Sequence, residues 1–332
     1  MEKSEIKVRC RAKIAINGAD MSVEIELKLI ARPQAIPAIR QQLLLFPHDY
    51  FSPQKLTNIY FETSDNQLRS LDMGLRIRGF DDQYEMTIKT AGKVVGGLHQ
   101  RPEYNVPLVK PELALTLFPR HIWPDNCDVE ALQSRLNALF STDFMREKWV
   151  VTYGQSEIEV VLDQGEIIAA NRKEPICEFE LELKQGTITD VLALAVELAK
   201  SNGLRQGNKS KAARGYQLAQ GKPKAALLST QVEIDMQQSL SSVLTSMLAH
   251  WQEQEERWLA GLSDGRDGLK QVLTLIHQTI EYPSAPKQLD NQLVAINQKL
   301  LDTETEAETL CYSSLYLQCK LALTMWLINL SA

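Results

Sequence analysis

Cysteine is scarce in this sequence, and the few cysteines suggest neither a set of disulfide bonds nor a structural metal site. The chain has five, an odd number: Cys10, Cys127, Cys177, Cys311 and Cys319. They form no CxxC pair and no cluster with histidine. We therefore expect neither a disulfide-stapled fold nor a structural zinc site, and we predict a reducing, cytoplasmic location.

Long hydrophobic runs are also missing. The most apolar run, Leu321–Leu330, has about half the length that a membrane-spanning helix needs. The first residues are charged, with Lys3, Glu5 and Lys7 among them, and they lack the apolar core of a signal peptide. We expect no membrane partner and interpret the apolar run as a buried helix.

The chain has no excess of positive charge, since its formal net charge is −6 at pH 7. Broad nucleic-acid binding needs a basic surface, so nucleic acid is not an expected partner. A concentrated basic pocket is still compatible with this value, because net charge averages over the whole molecule. With 332 residues, 44% of them hydrophobic, the chain is long enough for two domains with real cores.

From residue 23 to about residue 183, hydrophobic residues recur with a period of two, which is typical of β-strands. The segments that show it are Val23–Leu29, Asn58–Glu62, Leu75–Gly79, Tyr84–Thr90, Arg101–Val106, Phe144–Thr152, Glu157–Leu162 and Ile176–Lys184. Turn residues separate many of these segments. Eight such strands predict either a closed antiparallel β-barrel or a strongly curled antiparallel sheet, with peripheral helices, and we adopt the barrel as the expected fold.

After Gly221-Lys222-Pro223 the hydrophobic period becomes helical. This change predicts an all-α bundle, with helices over about 231–262, 267–281, 286–302 and 304–329. The expected fold class is therefore α+β. We predict a peripheral extension over residues 1–20, a barrel domain over 21–225 and a helical domain over 229–332, with the boundary near 222–229.

The polar face of the predicted strands carries almost only charged side chains. In the first strand Glu24, Glu26 and Lys28 alternate with apolar residues, and in the last strand Glu178, Glu180 and Glu182 do the same. The other charged positions of this kind are Arg76, Arg78, Glu85, Lys89, Arg101, Glu103, Arg146, Lys148, Glu159, Asp163 and Lys184. Successive side chains on a strand point to opposite faces, so each charged set lines one face.

A half-buried sheet with its charged side in water would explain any single strand. Taken together, the strands favour a binding site, because some are chiefly acidic and others purely basic. Like charges two residues apart on one strand repel each other and do not stabilise the fold, so this segregation is better explained by a ligand. A phosphate chain requires Arg and Lys, whereas a hard cation such as Mg²⁺ or Mn²⁺ requires carboxylates. If the sheet closes, both kinds of charge point into a tunnel.

The segment Glu24-Ile25-Glu26-Leu27-Lys28 resembles the ExExK signature of the CYTH superfamily, also called triphosphate tunnel metalloenzymes. Further pieces of the family pattern follow in order at Ile59–Thr63, Leu75–Arg78, Lys89, Arg146, Leu162–Gly165, Cys177–Leu183 and Ser210–Arg214. The resemblance covers about residues 22–220. Gly97–Val106 is most similar to the bacterial inorganic triphosphatases that join a CYTH domain to a helical CHAD domain. The helical region here has room for roughly half of a CHAD domain, so we expect a partial one.

The resemblance implies an eight-stranded antiparallel tunnel that hydrolyses inorganic triphosphate with Mg²⁺ or Mn²⁺. The candidate metal ligands are Glu24, Glu26, Asp163, Glu178, Glu180 and Glu182. The candidate catalytic cations are Lys28, Lys89, Arg146 and Lys211. The candidate substrate-binding residues are Arg76, Arg78, Arg101, Lys148 and Glu103.

Two alternatives stay open. An adenylate cyclase or a thiamine-triphosphatase would use the same tunnel, and a non-catalytic module would bind polyphosphate without turnover. Anion binding alone has no use for Glu24 and Glu26, which disfavours the second alternative. The expected ligand is inorganic triphosphate or a related triphosphate, with polyphosphate as a further candidate. We predict no metal role for His48, His99 and His121, which show no ligand spacing.

Overall fold

The alternating segments of the sequence form strands, and the strands pair in one antiparallel sheet. A computed structural model describes residues 14–16, 19–221, 234–280 and 285–331. Its strands are β1 (Ile14–Ile16), β2 (Ala19–Ala31), β3 (His48–Glu62), β4 (Gly74–Phe80), β5 (Gln83–Lys89), β6 (Lys93–Val95), β7 (Leu98–Leu108), β8 (Asn137–Tyr153), β9 (Ser156–Ala169), β10 (Arg172–Gln185) and β11 (Leu204–Gln206).

The sheet closes on itself. Its strands follow the order β2-β10-β9-β8-β3-β4-β5-β7, and β7 pairs back with β2 from Asp20↔Asn105 to Leu27↔Leu98. Eight strands therefore form a closed barrel, which confirms the predicted architecture. The short strands β1, β6 and β11 extend β2 and β7.

Several strands are longer than the sequence pattern predicts. The strand β3 begins at His48 rather than near Asn58, because Pro53 and a register shift between Phe51 and Gln54 interrupt the alternation. The strand β7 begins at Leu98 rather than at Arg101. This earlier start places His99 on the barrel wall.

Ten α-helices surround or follow the barrel in the described residues. They are α1 (Ile36–Leu43), α2 (Gln67–Ser70), α3 (Val129–Arg135), α4 (Ile188–Leu198), α5 (Lys211–Gln220), α6 (Leu240–Leu259), α7 (Ser263–Thr279), α8 (Leu289–Leu301), α9 (Ala307–Cys311) and α10 (Ser314–Ser331). Short 3-10 turns lie at Pro33–Ala35, Leu115–Leu117 and Arg120–Ile122. Among these described helices, none combines the length and the apolar character that crossing a membrane requires.

The apolar residues of the barrel strands face outward and are covered by helices. On one side, Leu27, Phe179 and Leu181 pack with residues of α1 and α4 in one buried cluster. On the other side, Leu75 and Ile88 pack against the insertion between β7 and β8. Because both outer faces are covered by apolar contacts, the charged faces of the same strands are left to point inward.

The helix α5 closes one end of the barrel interior. It begins after Ser210, whose side chain accepts a hydrogen bond from the Ala213 amide, and it ends at Gly221 with φ of 68°. Its Tyr216 packs with Phe140 and Phe144 of β8. These two aromatic residues share the strand parity of Arg146, which lines the interior. Lys211 therefore enters the tunnel from the first turn of α5.

The C-terminal helices α6 to α10 pack around a separate buried core that includes Trp251, Leu273 and Leu323. The helix predicted over 304–329 is in fact two, α9 and α10, because the chain turns at Tyr312, whose carbonyl accepts a hydrogen bond from Gly203 N at 2.7 Å. The buried carboxylate of Glu255 in α6 joins this region to the barrel through an ion pair with Arg205 of β11 at 3.0 Å, and it also pairs with Lys320 of α10 at 2.7 Å within the region.

The predicted domain boundary near 222–229 lies outside the described residues. The predicted extension over 1–20 also lies outside them, except for residues 14–16 and 19–20, whose backbone is strand. The division into three segments therefore stays a prediction.

Candidate active site in the barrel interior

The register of the strands places acidic and basic side chains face to face inside the barrel. Glu180 lies opposite Lys28, and Glu182 lies opposite Glu26. Across the closing pair of strands, Glu24 lies opposite Arg101. Residues directly opposite in an antiparallel pair share a face, so these charges meet on the inner wall.

The inner wall encloses a cavity of about 310 Å³, here called the tunnel cavity. Its polar and charged lining residues are Ser22, Glu24, Glu26, Asn58, Tyr60, Arg76, Arg78, Glu85, Thr87, Lys89, His99, Arg101, Glu103, Asn105, Arg146, Glu159, Glu180, Glu182, Lys184, Ser210 and Lys211. The cavity has the size of a small-molecule site, but it differs from most such sites in being mainly charged.

A group of alternating charges, the deep cluster, lies against the inner end of α5. Its members are Lys28, Arg146, Asp163, Glu178, Glu180 and Lys211. The Lys28 ammonium contacts Glu178 at 3.0 Å and also pairs with Glu180. The Lys211 ammonium lies 2.6 Å from Asp163 and 2.9 Å from Glu180. Arg146 binds both oxygens of Asp163, at 2.7 and 2.6 Å.

These cations keep the deep carboxylates ionised. Burial opposes ionisation of Glu180, but Lys211 and Lys28 outweigh it and hold the pKa of this carboxyl well below its ordinary 4.5. The pKa of Glu178 is lowered by Lys211 and Lys28 against the same opposition from burial. The deep cluster is therefore a nearly neutral, fully ionised unit at neutral pH.

A second set of charges connects β2, β5 and β7. Lys89 pairs with Glu24 and lies 3.1 Å from Glu103, while Arg76 lies 3.6 Å from Glu103. Burial opposes ionisation of Glu103, yet Lys89 and Arg76 lower its pKa to about 2. Glu103 was predicted to bind substrate. In this structure it lines the cavity and pairs with Arg76 and Lys89, and its role in substrate binding stays a prediction.

The rim of the cavity carries a third set. Lys184 contacts Glu182 at 2.7 Å and Glu159 at 3.6 Å, and Lys148 also lies 3.6 Å from Glu159. The Lys148 ammonium sits 4.2 Å from the centroid of the half-exposed Phe51 ring. Lys148 therefore lies at the mouth rather than deep in the tunnel.

Two arginines of the lining keep guanidinium groups available for an anion. Within the described parts of the chain, neither Arg78 nor Arg101 has an ion pair, and both donate to neutral oxygens. Arg78 donates to Asn58 at 2.9 Å, and Arg101 donates to the Thr90 carbonyl at 3.0 Å. Burial and the neighbouring Arg76 and Arg146 lower the pKa of Arg78 to about 10. Such crowding of like charge is relieved when an anion binds.

The predicted metal ligands fall into two groups. Glu24, Glu26, Glu180 and Glu182 line the tunnel cavity. Asp163 and Glu178 do not line it and are fully buried. Oxygens of Asp163, Glu178 and Glu180 do lie within 4.8 Å of one another, but they already accept hydrogen bonds from the deep-cluster cations. In this arrangement Asp163 and Glu178 orient Lys28, Arg146 and Lys211, and their assignment as metal ligands stays a prediction.

The carboxylates of the lining suit a divalent cation. Burial raises the pKa of Glu24 to about 7 and that of Glu182 to about 7, with further contributions from neighbouring charges. Burial followed by Glu180 raises the pKa of Glu26 as well. Carboxylates that lack full compensation are stabilised by a hard cation, which prefers oxygen ligands. Glu24, Glu26 and Glu182 could therefore hold such an ion. Glu180 also lines the cavity, and it could join them by giving up part of its contact with Lys28, Arg146 or Lys211.

Sequence reasoning missed some residues of the site. Arg214 donates to Glu178 at 3.0 Å and to Glu174 at 2.8 Å, bracing the deep cluster from behind. It was noted in the family pattern without a role. His99, for which no metal role was predicted, lines the cavity opposite Glu26. The signal for His99 was its parity with Arg101 and Glu103, which was hidden because the strand was taken to begin at Arg101.

Comparison with known proteins gives a consistent picture. The profile of the CYTH domain family matches residues 22–216. An inorganic triphosphatase from Haemophilus influenzae is 41% identical over 198 residues, which is 60% of this chain and 55% of that protein. The chain thus spans about half the length of this curated relative.

Two solved structures align with part of this chain. A Hippeastrum protein, described as a proposed adenylyl cyclase with a dominant triphosphatase activity, has 20% identity and a TM-score of 0.45, covering 58% of this chain and 95% of its own. The PH1819 protein from Pyrococcus horikoshii has 18% identity and a TM-score of 0.40, covering 59% of this chain and 99% of its own.

Proposed function

This chain belongs to the CYTH domain family, and we propose that it hydrolyses inorganic triphosphate to diphosphate and phosphate with the help of a divalent cation. The observation that carries the proposal is the tunnel cavity. There Arg78 and Arg101 have no acidic partner among the residues that the structure describes, while Glu24 and Glu26 face the same space. One enclosed site thus offers ligands for a polyanion and for its cation.

The basic residues of the cavity would bind the phosphates. Arg76, Arg78 and Arg146 lie on neighbouring parts of the inner wall, and guanidinium groups match the geometry of phosphate oxygens. Lys89, Arg101 and Lys211 would add charge from the other strands and from α5. Because all of them are fixed by packing or by ion pairs, little reorganisation is needed when negative charge develops on the transferred group.

The acidic residues of the cavity would hold Mg²⁺ or Mn²⁺. The proposed ligands are Glu24, Glu26, Glu180 and Glu182, whereas Asp163 and Glu178 act through the cations that they orient. The bound ion would neutralise phosphate charge and lower the pKa of water. In the reaction, the oxygen of a water molecule bonds to a terminal phosphorus atom while the bond from that phosphorus to the bridging oxygen breaks. The diphosphate leaves with the bridging oxygen.

The name of the Haemophilus influenzae relative supports inorganic triphosphate as the substrate. We also propose that the helical region is a partial CHAD-like domain and that polyphosphate is a further candidate ligand. The scarcity of cysteine supports a cytoplasmic location.

The direct test is phosphate release by the purified full chain from tripolyphosphate, ATP and thiamine triphosphate, each with and without Mg²⁺ or Mn²⁺. We expect turnover of tripolyphosphate to exceed the others and to need the metal. Glu26→Gln should lower it by about 100-fold or more. Glu166→Gln is the matched control, because Glu166 is partly exposed outside the cavity lining and, among the described residues, its one ion pair is with Lys173.

Other outcomes identify the alternatives. Preferred turnover of ATP or thiamine triphosphate would replace the inorganic substrate by an organic one. Tight binding of tripolyphosphate without metal and without turnover would instead make the chain a binding module.

A further inference from the structure

His99 occupies a place on the inner wall that the proposed chemistry does not use. It is the second residue of β7, directly opposite Glu26 of β2. It shares its inward parity with Arg101 and Glu103, and its neighbour Leu98 packs outward into the hydrophobic core. His99 lines the tunnel cavity and is only 7% exposed.

In the part of the chain that the structure describes, both members of this cross-strand pair have polar atoms without a hydrogen-bond partner. Within the described ranges, the Nε2 atom of His99 has no hydrogen bond. Glu26 is likewise the one candidate metal ligand for which the described residues provide neither a hydrogen bond nor an ion pair within 4.0 Å. A buried polar group without a partner costs about 1–3 kcal/mol, so such a pair is typical of a site that is completed by a ligand.

The surrounding charges indicate which kind of ligand completes it. Glu24, Glu180 and Glu182 are the other carboxylates of the lining, and Glu182 lies opposite Glu26 on the other side of β2. These carboxylates attract a cation. The lysines that also face Glu26, which are Lys28, Lys89 and Lys211, are already paired with other carboxylates. Directly opposite side chains have Cβ atoms about 5 Å apart, so a carboxylate and an imidazole in this register can reach one ion.

We propose that His99 and Glu26 together ligate the divalent cation of the tunnel, and that this imidazole nitrogen makes the site prefer Mn²⁺ to Mg²⁺. Imidazole is a good ligand for first-row transition ions and a poor one for Mg²⁺, which strongly prefers oxygen. This inference rests on the proposed function in one respect, since it takes the tunnel to bind a divalent cation.

The test measures Mn²⁺ directly and does not depend on turnover. Electron spin-echo modulation of Mn²⁺ bound to the full chain, in the presence of tripolyphosphate, should show coupling to a directly bonded nitrogen. His99→Asn should abolish the nitrogen coupling. It should also weaken Mn²⁺ binding about tenfold, while Mg²⁺ affinity, measured by competition, changes less than about twofold.

Two further variants keep the result interpretable. His121→Asn is the matched control, since His121 contacts Tyr104 outside the cavity lining, and it should retain the coupling. His99→Gln repeats the test with a longer side chain, and thermal unfolding of each variant confirms that it folds.

The outcomes separate this inference from the proposed function. Bound Mn²⁺ without nitrogen coupling, or an unchanged Mn²⁺ to Mg²⁺ affinity ratio in His99→Asn, overturns the role of His99 and leaves the proposed function intact. Nitrogen coupling in a protein that releases no phosphate supports the ligand and overturns the activity. Absence of bound Mn²⁺ overturns the role of His99, whereas the proposed function is overturned only if tripolyphosphate is also not hydrolysed with Mg²⁺.

Discussion

Replacing Lys28 by methionine tests whether the deep cluster stabilises the barrel. The Lys28 side chain is 1% exposed and contacts Glu178 at 3.0 Å as well as Glu180. Breaking a buried ion pair by removing one partner typically costs about 3–5 kcal/mol, because a buried charge is left behind. Here Lys211 stays 2.6 Å from Glu178 and 2.9 Å from Glu180. We therefore expect the lower end of that range, about 3 kcal/mol.

The assay is thermal unfolding followed by far-ultraviolet circular dichroism at neutral pH. For a domain of this size, each kcal/mol lowers Tm by about 2–4 °C, so Lys28→Met should lower it by roughly 6–12 °C. Lys184→Met is the control, because Lys184 lies on the same inner face but is 23% exposed at the rim. It should lower Tm by no more than about 3 °C.

The pH dependence of this difference is a second check. The pKa values of Glu178 and Glu180 lie below their ordinary 4.5, so the stability that these carboxylates gain from lysine is present above pH 4.5. It is lost as pH falls through the lowered folded-state values. The difference between the wild-type chain and Lys28→Met should therefore shrink in acid. A Tm within about 2 °C of wild type at pH 7 would refute the reasoning.

Three further predictions follow from the same geometry. Arg78→Ala should raise KM for tripolyphosphate about 10- to 100-fold in steady-state kinetics, because a charged hydrogen bond to phosphate is lost; an unchanged KM would exclude the contact. Burial raises the pKa of Glu24 and Glu182 to about 7, so calorimetry should show tighter divalent-cation binding as pH rises from about 6 to 8. The folded state holds more protons than the unfolded state between pH 4.5 and 7, so metal-free stability should fall as pH rises there; the opposite slopes would contradict both shifts. A Cβ atom at Gly215 would lie 2.1 Å from the Phe140 ring. Gly215→Val should therefore lower the free energy of unfolding, measured by urea denaturation, by about 1–3 kcal/mol, and it should reduce turnover by moving α5. An unchanged free energy of unfolding would show that α5 is not tightly packed.

The inner and outer faces of the barrel could be predicted because charged and apolar residues alternate along each strand with a period of two. In β10, Glu178, Glu180 and Glu182 alternate with Phe179 and Leu181. A strand that is apolar on one face and charged on the other leaves little doubt about its parity. The eight strands and the charged interior followed from that regularity.

The parts that sequence could not predict depend on non-local pairing or on weak patterns. Closure requires β2 to pair with both β7 and β10, and no local pattern specifies those partners. The helix α5 carries few large apolar residues, so its insertion against Phe140 is not marked by helical periodicity. The start of β7 directly follows the turn at Gly96 and Gly97, so the predicted strand began only at Arg101 and left His99 outside it.

The same limit explains the split among the predicted metal ligands. Parity places Asp163 and Glu178 on the inner face with Glu26 and Glu180, but parity does not report depth. The deep positions are covered by Lys211 and by Arg214 behind them. The placement of α5 therefore decides whether a carboxylate faces a metal ion or a lysine ammonium group.

The central claim is that charges of both signs converge in one enclosed cavity that binds a triphosphate and its cation. A crystal structure of the full chain with tripolyphosphate and Mn²⁺ tests it most directly. We expect phosphate oxygens in contact with Arg76, Arg78 and Arg146, and an anomalous Mn²⁺ peak beside Glu24 and Glu26. Tripolyphosphate bound on the outer surface or among α6 to α10, with no Mn²⁺ beside Glu26, would contradict it.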